Sequence, residues 1–329
     1  MRLLVTGGAG YIGAHFVAAA LDAGISDIVV VDDLSTGLRR RVPEAVQFHQ
    51  LDLATDGAVQ DLAQILREQR IDAVVHFAAK KAVGESVEQP ELYFRTNVGA
   101  TINVLAAMRD SGVSALIFSS SAAVYGEPPT EVVYEDTPCL PINPYGQSKR
   151  ISELALANAV TAWGLKAVSL RYFNVAGARD SQLADTTTTN LMPAVREVIT
   201  RGTRLAVFGD DYPTPDGTCV RDYVHVQDLV DAHLTALTRI GADADPGLHT
   251  YNVGTGQGSS VLEIVEAFRQ QPGVQLDFDL HDRRPGDPAS LTANVDRIQD
   301  ELGWTARYGR DRIVSSVVAH PPLTNQENE

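Results

Sequence analysis

The chain has 329 residues, of which 44% are hydrophobic, and its formal net charge is −15. This length can bury one large core or two smaller ones, and an acidic chain with no basic block argues against a nucleic-acid partner. No apolar run is long enough to cross a membrane, and the N-terminus lacks the features of a signal peptide. The two cysteines and eight scattered histidines show no metal-binding spacing. We therefore expect a cytoplasmic protein with no metal ion and no membrane or nucleic-acid partner.

Predicted strands and helices alternate through the first half of the chain. Strands are predicted at 2–6, 28–31, 46–51, 73–77, 116–119 and 167–171, and helices at 11–23, 58–69, 90–111 and 145–163. Such repeated β-α units predict an α/β protein whose parallel sheet carries helices on both faces. From about residue 174 the pattern loosens into short strands and two clear helices, at 226–240 and 261–270. We expect a domain at 1–173, a smaller α/β lobe at 174–320 with some segments returning to the sheet, and a polar tail at 321–329.

A glycine-rich stretch joins the first predicted strand to the first predicted helix. Gly7, Gly10 and Gly13 would let the backbone approach a pyrophosphate at the helix N-terminus; the alternative is a tight turn without a ligand. Asp32 ends the second strand, where a carboxylate accepts hydrogen bonds from ribose hydroxyls and repels a 2′-phosphate. The motif predicts a doubly wound parallel Rossmann sheet that binds NAD rather than NADP. Asp33 is better explained as a loop or cap residue.

Four further segments lie where a cofactor would pass over such a sheet. Asp52 follows the third strand, although a turn aspartate explains it equally well. Small residues and lysines follow the fourth strand, from Phe77 to Lys81, and the serines Ser119 to Ser121 end the fifth. Asn97 lies in the long helix, where a polar side chain that faces a sheet needs a partner. Ligands are expected at these carboxyl ends of the strands.

The stretch NPYGQSK begins the helix predicted at 145–163 and carries the chemistry. Tyr145 and Lys149 are four residues apart and share one helical face. An ammonium close to a tyrosine favours the phenolate and lowers its pKa, so the pair can act as a general base. A surface pair is the alternative, since this spacing is common on helices. A hydroxyl of the serine triplet could bond the reacting oxygen of the substrate.

Together these stretches resemble the extended short-chain dehydrogenase/reductase family and, within it, the NAD-dependent enzymes that epimerise UDP-sugars at C4. The resemblance runs from residue 1 to about residue 304 and is most specific in DGTCVRDYVHVQDL and RRPGD. It implies that UDP-galactose and UDP-glucose interconvert by oxidation at C4 with bound NAD, through a 4-keto sugar. Homodimers are common in the family, through helices corresponding to 90–111 and 145–163.

The resemblance assigns residues to three roles. It implies that the catalytic residues are Ser121, Tyr145 and Lys149. The residues implied to contact NAD are Gly7, Gly10, Tyr11, Ile12, Gly13, Asp32, Asp33, Leu34, Ser35, Thr36, Gly37, Asp52, Leu53, Phe77, Ala78, Ala79, Lys81, Asn97, Ser121, Tyr145, Lys149 and Phe173. Those implied to hold the UDP-sugar are Lys81, Ser121, Tyr145, Asn174, Asn190, Leu191, Ala206, Val207, Phe208, Arg221, Tyr223, Arg284, Asp287 and Leu291. Two arginines can clamp a diphosphate through paired hydrogen bonds, whereas Arg283 is better explained by a surface salt bridge.

Several alternatives stay open. Related dehydratases carry an Asp-Glu pair just after the strand-end hydroxyl residue, and Ala122-Ala123 stands there instead, which disfavours dehydration because alanine cannot transfer a proton. A UDP-glucuronate 4-epimerase or decarboxylase, or an enzyme for N-acetylated UDP-sugars, shares the first oxidation. The segment 178–189 departs from the family pattern, and Leu291 is intermediate in bulk where size affects sugar choice. A non-catalytic NAD-sensing protein is the remaining hypothesis.

Overall fold

The computed structural model describes residues 1–187, 190–241, 244–284 and 287–323. The chain divides into two compact units. The first comprises Met1–Gly126, Cys139–Arg171 and Val230–Tyr251, and the second comprises Glu127–Pro138, Tyr172–Leu229 and Asn252–Glu329. The boundary predicted at residue 173 stays a prediction, and the end of the predicted tail, 324–329, lies outside the described residues.

The elements alternate as the sequence predicts in the first half of the chain. The strands are β1 Leu3–Thr6, β2 Ile28–Asp32, β3 Gln47–Gln50, β4 Ala73–His76, β5 Ala115–Ser119, β6 Val132–Val133, β7 Lys166–Tyr172, β8 Asn174–Ala176, β9 Leu205–Phe208, β10 Val220–His225, β11 Gly247–Val253, β12 Gly258–Ser260, β13 Phe278–His281 and β14 Ser290–Ala293. The helices are α1 Tyr11–Asp22, α2 Ala58–Glu68, α3 Val83–Glu88, α4 Pro90–Tyr93, α5 Ala100–Ser111, α6 Pro144–Trp163, α7 Leu191–Arg201, α8 Val226–Ala236, α9 Val261–Arg269, α10 Asp296–Leu302 and α11 Arg310–Ala319. Short 3₁₀ turns span Arg39–Arg41, Ala122–Tyr125 and Leu237–Ile240, and a π-helical turn spans Phe94–Gly99.

A seven-stranded sheet organises the first unit, in the order β11-β7-β5-β4-β1-β2-β3. Every neighbouring pair from β7 to β3 is parallel, and the order reverses direction at β1, so the predicted doubly wound α/β fold is confirmed. Strand β11 was not predicted as part of this sheet. Its first four residues are only half-buried, so its sequence lacks the continuous apolar run that identifies β1 and β2.

Helix α6 has clear start and stop signals. The Oδ1 atom of Asn143 accepts a hydrogen bond from the Gly146 amide at 2.8 Å, Pro144 occupies the first turn, and Gly164 ends the helix with a φ of 77°. The cap fixes where the first turn begins. It therefore fixes the direction of Tyr145, which follows Pro144 directly.

The prediction of one regular helix at 90–111 was wrong in detail. The segment runs as α4, then the π-helical turn at Phe94–Gly99, then α5. Such a turn holds one more residue than an α-turn and shifts the faces on either side of it. Here it carries the buried Asn97, whose side chain bonds the backbone of Lys80.

Each unit has its own apolar core. In the first, residues of α2 and α5 such as Leu62 and Met108 pack against sheet residues such as Leu4, Val74 and Leu116. In the second, residues of α7, α9 and α11 form the core cluster, including Val195, Ile264, Phe268, Ile313 and Val314. No helix among the described residues is both long and apolar enough to cross a membrane.

Beyond residue 174 the chain holds more helix than the two clear predicted helices. Helices α7, α10 and α11 are additional. Pro193 lies near the start of α7, where proline is tolerated although it reads as a helix breaker. Strands β12, β10, β14 and β6 form a sheet in that order, with β8 also paired to β10, and β9 pairs with β13.

Candidate active site

The glycine-rich loop lies between β1 and α1 and leaves no room for side chains at two positions. A Cβ on Gly7, whose φ is +69°, would lie 2.6 Å from the Ala78 amide nitrogen. A Cβ on Gly13 would overlap the carbonyl oxygen of Gly7. The loop is thus a bare backbone turn that leads into a helix N-terminus, and this surface suits a pyrophosphate. These residues therefore fit a dinucleotide.

Asp32 is buried at the end of β2, where it binds two loops. Its Oδ2 accepts a hydrogen bond from the Ala9 amide and its Oδ1 one from the Leu34 amide, both at 2.9 Å. Burial raises the pKa of Asp32, and the two amides act in the opposite direction. A Cβ on Gly37 would lie 2.6 Å from Oδ1, so the loop folds closely over the carboxylate.

The other residues of the 33–53 region have mixed roles. Asp33 is exposed, and its Oδ1 accepts hydrogen bonds from the amide and hydroxyl of Ser35, as expected of a loop residue. The Oδ1 of Asp52 accepts a bond from the Ala54 amide, which is the turn arrangement considered as its alternative. Leu53 is buried in the apolar core. Cofactor contact by these residues stays a prediction.

Asn97 is fully engaged beneath the strand ends. Its Oδ1 accepts a bond from the Lys80 amide at 2.8 Å, and its Nδ2 donates to the Lys80 carbonyl and to Ser148 Oγ, each at 3.0 Å. Lys80 and Ser148 are thus the polar partners that a side chain facing the sheet from this helix was expected to need. The side chain joins the loop after β4 to helix α6, so its direct effect is on the loop that carries Ala78, Ala79 and Lys81.

Aromatic rings flank this loop on two sides. Phe77 packs against Phe16 and His233, with ring centroids 5.5 and 4.7 Å away. Lys81 is exposed, and its Nζ lies 5.6 Å from the Tyr11 ring centroid. Tyr11, Phe77 and Lys81 therefore lie at the glycine-rich loop or at the loop after β4. Their contacts with ligands stay predictions.

Ser121, Tyr145 and Lys149 come together in the first unit. The hydroxyls of Ser121 and Tyr145 are hydrogen-bonded to each other, and Ser121 Oγ also accepts a bond from the Ala123 amide at 3.1 Å. Lys149 Nζ donates to the carbonyl of Ser119 at 2.8 Å. Tyr93 packs edge-on against Tyr145, with ring centroids 6.4 Å apart. The three side chains are thus held by β5, its following turn and α6.

Burial governs the protonation of this cluster. It raises the pKa of Tyr145, an effect that the Ser121 hydrogen bond opposes. It lowers the pKa of Lys149 to about 7, against the charge of Glu153, and that of His76 to about 3, with the charge of Lys149 acting the same way. The expected lowering of the Tyr145 pKa by Lys149 is not found: burial raises that pKa, and Lys149 Nζ is directed at the Ser119 carbonyl.

In the second unit, pairing with β10 brings several predicted substrate residues together. Tyr223 is opposite Asn174 on β8, and Arg221 is opposite Leu291 on β14. Arg221 is buried, and its Nη2 donates to Asp287 Oδ1 at 3.4 Å. A carboxylate therefore lies beside the Arg221 guanidinium, at the long limit of hydrogen-bond distance.

A second group of predicted substrate residues lies on or next to strands β9 and β13. The Arg284 guanidinium lies 3.9 Å from the Phe208 ring centroid, whereas Arg283 forms an ion pair with Asp211 at 2.5 Å, the surface role anticipated for it. Ala206 is exposed, but Val207 packs into the core, so only its backbone is available to a ligand.

The remaining predicted residues are placed as follows. Asn190 is exposed at the start of α7, beside the half-buried Leu191. Phe173 is buried, and its amide donates to the Val253 carbonyl. Of the atypical segment 178–189, Thr188 and Thr189 lie outside the described residues. In the described part, Asp185 Oδ1 accepts bonds from the amide and hydroxyl of Thr187.

The sequence analysis missed a buried polar network behind the catalytic cluster. Glu153 is bound by Arg171 through two hydrogen bonds of 2.8 Å, and also accepts bonds from Ser120 and Ser169. A signal was available, because Tyr145, Lys149 and Glu153 recur every four residues along one face of α6.

Comparisons with known proteins agree with this geometry. The model of the "NAD dependent epimerase/dehydratase family" matches residues 3–254. A UDP-glucose 4-epimerase of Azospirillum brasilense is 45% identical over 323 residues, which cover 97% of this chain and 91% of the relative. The crystal structure of a UDP-glucose 4-epimerase from Stenotrophomonas maltophila with bound NAD and formylated UDP-arabinopyranose has a TM-score of 0.90 at 41% identity, and covers 96% of both chains. One from Brucella ovis in complex with NAD also has a TM-score of 0.90, at 39% identity over 96% of both chains.

Proposed function

The chain belongs to the NAD-dependent epimerase/dehydratase family, and from this membership we propose that it interconverts UDP-galactose and UDP-glucose. It is an NAD-dependent isomerase. The observation that carries the substrate chemistry is the hydrogen-bonded pair Ser121–Tyr145, with Lys149 buried on the same face of α6. A hydroxyl pair of this kind can bind one sugar oxygen and move its proton.

We propose that Tyr145 takes the proton from the sugar O4 as the phenolate and later returns it; the positive charge of bound NAD would offset the burial that favours the neutral phenol. Ser121 would bond the same oxygen and align it with the tyrosine. Lys149 would hold the nicotinamide ribose. When bound, NAD would supply the acceptor, and later the donor, of the C4 hydride, so that the sugar would pass through a 4-keto form. The other contacts proposed for NAD and for the UDP-sugar are those assigned above from the resemblance.

The residues after Ser121 favour epimerisation over dehydration within this family. Ala122 and Ala123 begin the 3₁₀ turn, and neither side chain can donate or accept a proton. Loss of water from the sugar requires an added acid and base at this place. The reaction proposed is therefore limited to oxidation and reduction at C4.

A proton NMR time course of the purified protein with UDP-galactose, and without added NAD, tests the proposal. We expect UDP-glucose to appear until a stable mixture of the two forms. Turnover of UDP-glucuronate or UDP-N-acetylglucosamine instead would keep the chemistry and change the substrate. No turnover of any UDP-sugar, even with added NAD, would refute the proposal and favour an NAD-sensing protein.

We further propose that the chain forms a homodimer through α5 and α6. Ile102 on α5 is 51% exposed, and Ile151 and Leu154 on α6 are 40% and 48% exposed. Exposed apolar side chains on neighbouring helices suit a helical interface. Leu154→Glu should shift the mass measured by light scattering towards the monomer, whereas the control Leu280→Glu, at an equally exposed leucine of β13, should not. A monomeric wild-type chain would contradict the proposal.

We also propose a cytoplasmic location and a role in galactose metabolism and UDP-sugar supply. Cys139 and Cys219 are not joined in a disulfide, which fits a reducing compartment. Fractionation of cells that express the tagged chain would test the location. Growth of a galactose-sensitive, epimerase-deficient strain on galactose, after the chain is supplied, would test the role.

A further inference from the structure

Three hydrogen bonds join the residues at the end of β5, Ser119 to Ser121, to one face of helix α6. The hydroxyl of Ser121 bonds that of Tyr145, and the carbonyl of Ser119 accepts a bond from Lys149. In the third bond, the hydroxyl of Ser120, the middle serine, donates to Glu153 Oε1 at 2.7 Å. The first two hydrogen bonds involve groups of the proposed reaction. The third involves side chains that are at most 2% exposed and has no part in that reaction.

The Glu153 carboxylate, which accepts the third hydrogen bond, is held rigidly. Arg171 donates from Nε to Glu153 Oε1 and from Nη2 to Oε2, both at 2.8 Å, which is the paired geometry of a strong charge-assisted contact. Burial alone would raise the pKa of Glu153, but Arg171, Ser120 and Ser169 hold it below its usual value. Glu153 is therefore a charged acceptor with a fixed orientation.

The same arginine also reaches the chain beyond Ser121. Its Nη1 donates to the Tyr125 hydroxyl at 3.1 Å, and Tyr125 ends the 3₁₀ turn that Ser121 caps. The Glu153–Arg171 pair thus binds the residue before Ser121 and a residue one turn after it. Ser121 lies between two points fixed to the same ion pair.

We propose that Glu153 and Arg171 are positioning residues that hold Ser121 in register with Tyr145, through Ser120 on one side and Tyr125 on the other. This inference rests on the proposed function. Proton transfer between the sugar oxygen and the Ser121–Tyr145 pair depends on their alignment, and a displacement of about 1 Å can cost about 100-fold in rate. Binding of the nucleotide part of the substrate does not depend on that alignment.

The chain offers a matched control for this clamp. Ser169 on β7 is as buried as Ser120, and its hydroxyl donates to the same Oε1 atom of Glu153, at 3.0 Å. It lies within β7, whereas Ser121 follows the end of β5. Ser120→Ala and Ser169→Ala therefore remove the same kind of hydrogen bond from the same acceptor, but only Ser120→Ala removes a side-chain contact of the segment that carries Ser121.

The test compares Ser120→Ala, Tyr125→Phe and Ser169→Ala with wild type. We expect kcat to fall about 10-fold in the first two, with KM for UDP-galactose and NAD content unchanged, and to stay within about twofold of wild type in Ser169→Ala. Hydrogen exchange over residues 119–125 should quicken in Ser120→Ala and not in Ser169→Ala. This second readout needs no turnover.

The outcomes separate the two proposals. Inactive wild type refutes the proposed function, and the exchange rates then still decide the inference. Active wild type with equal kcat and equal exchange in Ser120→Ala and Ser169→Ala would overturn the inference alone. A rise in KM with unchanged kcat would also overturn it, because the clamp would then act on binding.

Discussion

Replacement of Asp32 by asparagine tests how the cofactor loop is held. The carboxylate accepts the Ala9 amide on one oxygen and the Leu34 amide on the other. Asparagine has one oxygen and one NH₂ group, so one buried amide would face a second donor. A hydrogen bond to a charged group contributes about 1.5–3 kcal/mol, and a buried donor left without its acceptor costs a similar amount. We expect the free energy of unfolding of the NAD-free protein to fall by about 2 kcal/mol.

The neighbouring Asp33 gives the control. It is exposed, and its contacts with the amide and hydroxyl of Ser35 use one oxygen only, which asparagine can supply. Asp33→Asn should change stability by less than about 0.5 kcal/mol. Urea unfolding of both variants measures the difference. Because Ala9 lies in the glycine-rich loop, Asp32→Asn should also lose bound NAD on dilution, and should discriminate less against NADP, since a charge that repels the 2′-phosphate is removed. Equal stability and equal NAD content in the two variants would refute this reasoning.

Two further predictions concern the catalytic cluster. Tyr145→Phe should lower turnover of UDP-galactose by about 100-fold or more while NAD content stays that of wild type, because the general base is lost; unchanged turnover would contradict the role of Tyr145. Lys149 has a pKa lowered from 10.5 to about 7 by burial, so between these values it binds its proton in the unfolded chain but not in the folded one. Unfolding then takes up a proton, and the stability of the NAD-free protein should rise with pH across this window, by at most about 1.4 kcal/mol per pH unit for this group. Urea unfolding should show this contribution missing in Lys149→Met, and an equal slope in both proteins would argue against it.

The sheet and the grouping of the catalytic candidates were predictable because their signals are local. Apolar β-branched runs identify β1 and β2, and the glycines identify the turn between β1 and α1 by the room that a Cβ lacks there. Tyr145 and Lys149 share a helical face by spacing alone. Each of these conclusions needs only a short stretch of sequence and no knowledge of distant partners.

The protonation of the cluster was not predictable in the same way. The spacing of Tyr145 and Lys149 suggests that the ammonium acts on the phenol, but both groups are almost wholly buried. Burial raises the pKa of one and lowers that of the other, so both are driven towards their neutral forms. The degree of burial depends on the strand end and on Tyr93, which packs against Tyr145, and a helical pattern does not contain that information.

The π-helical turn at Phe94–Gly99 shows where a pattern misleads for a physical reason. A regular helix over 90–111 agrees with the apolar spacing on either side of the turn, so the sequence offers no local reason to interrupt it. The reason is tertiary: Asn97 must bond both backbone groups of Lys80 and the hydroxyl of Ser148 at once. A buried amide left without these partners would cost more than the weaker hydrogen bonding of a single π turn. The helix is therefore distorted so that Asn97 can hold the loop after β4. The backbone of that loop closes against Gly7 and so shapes the surface proposed to bind NAD.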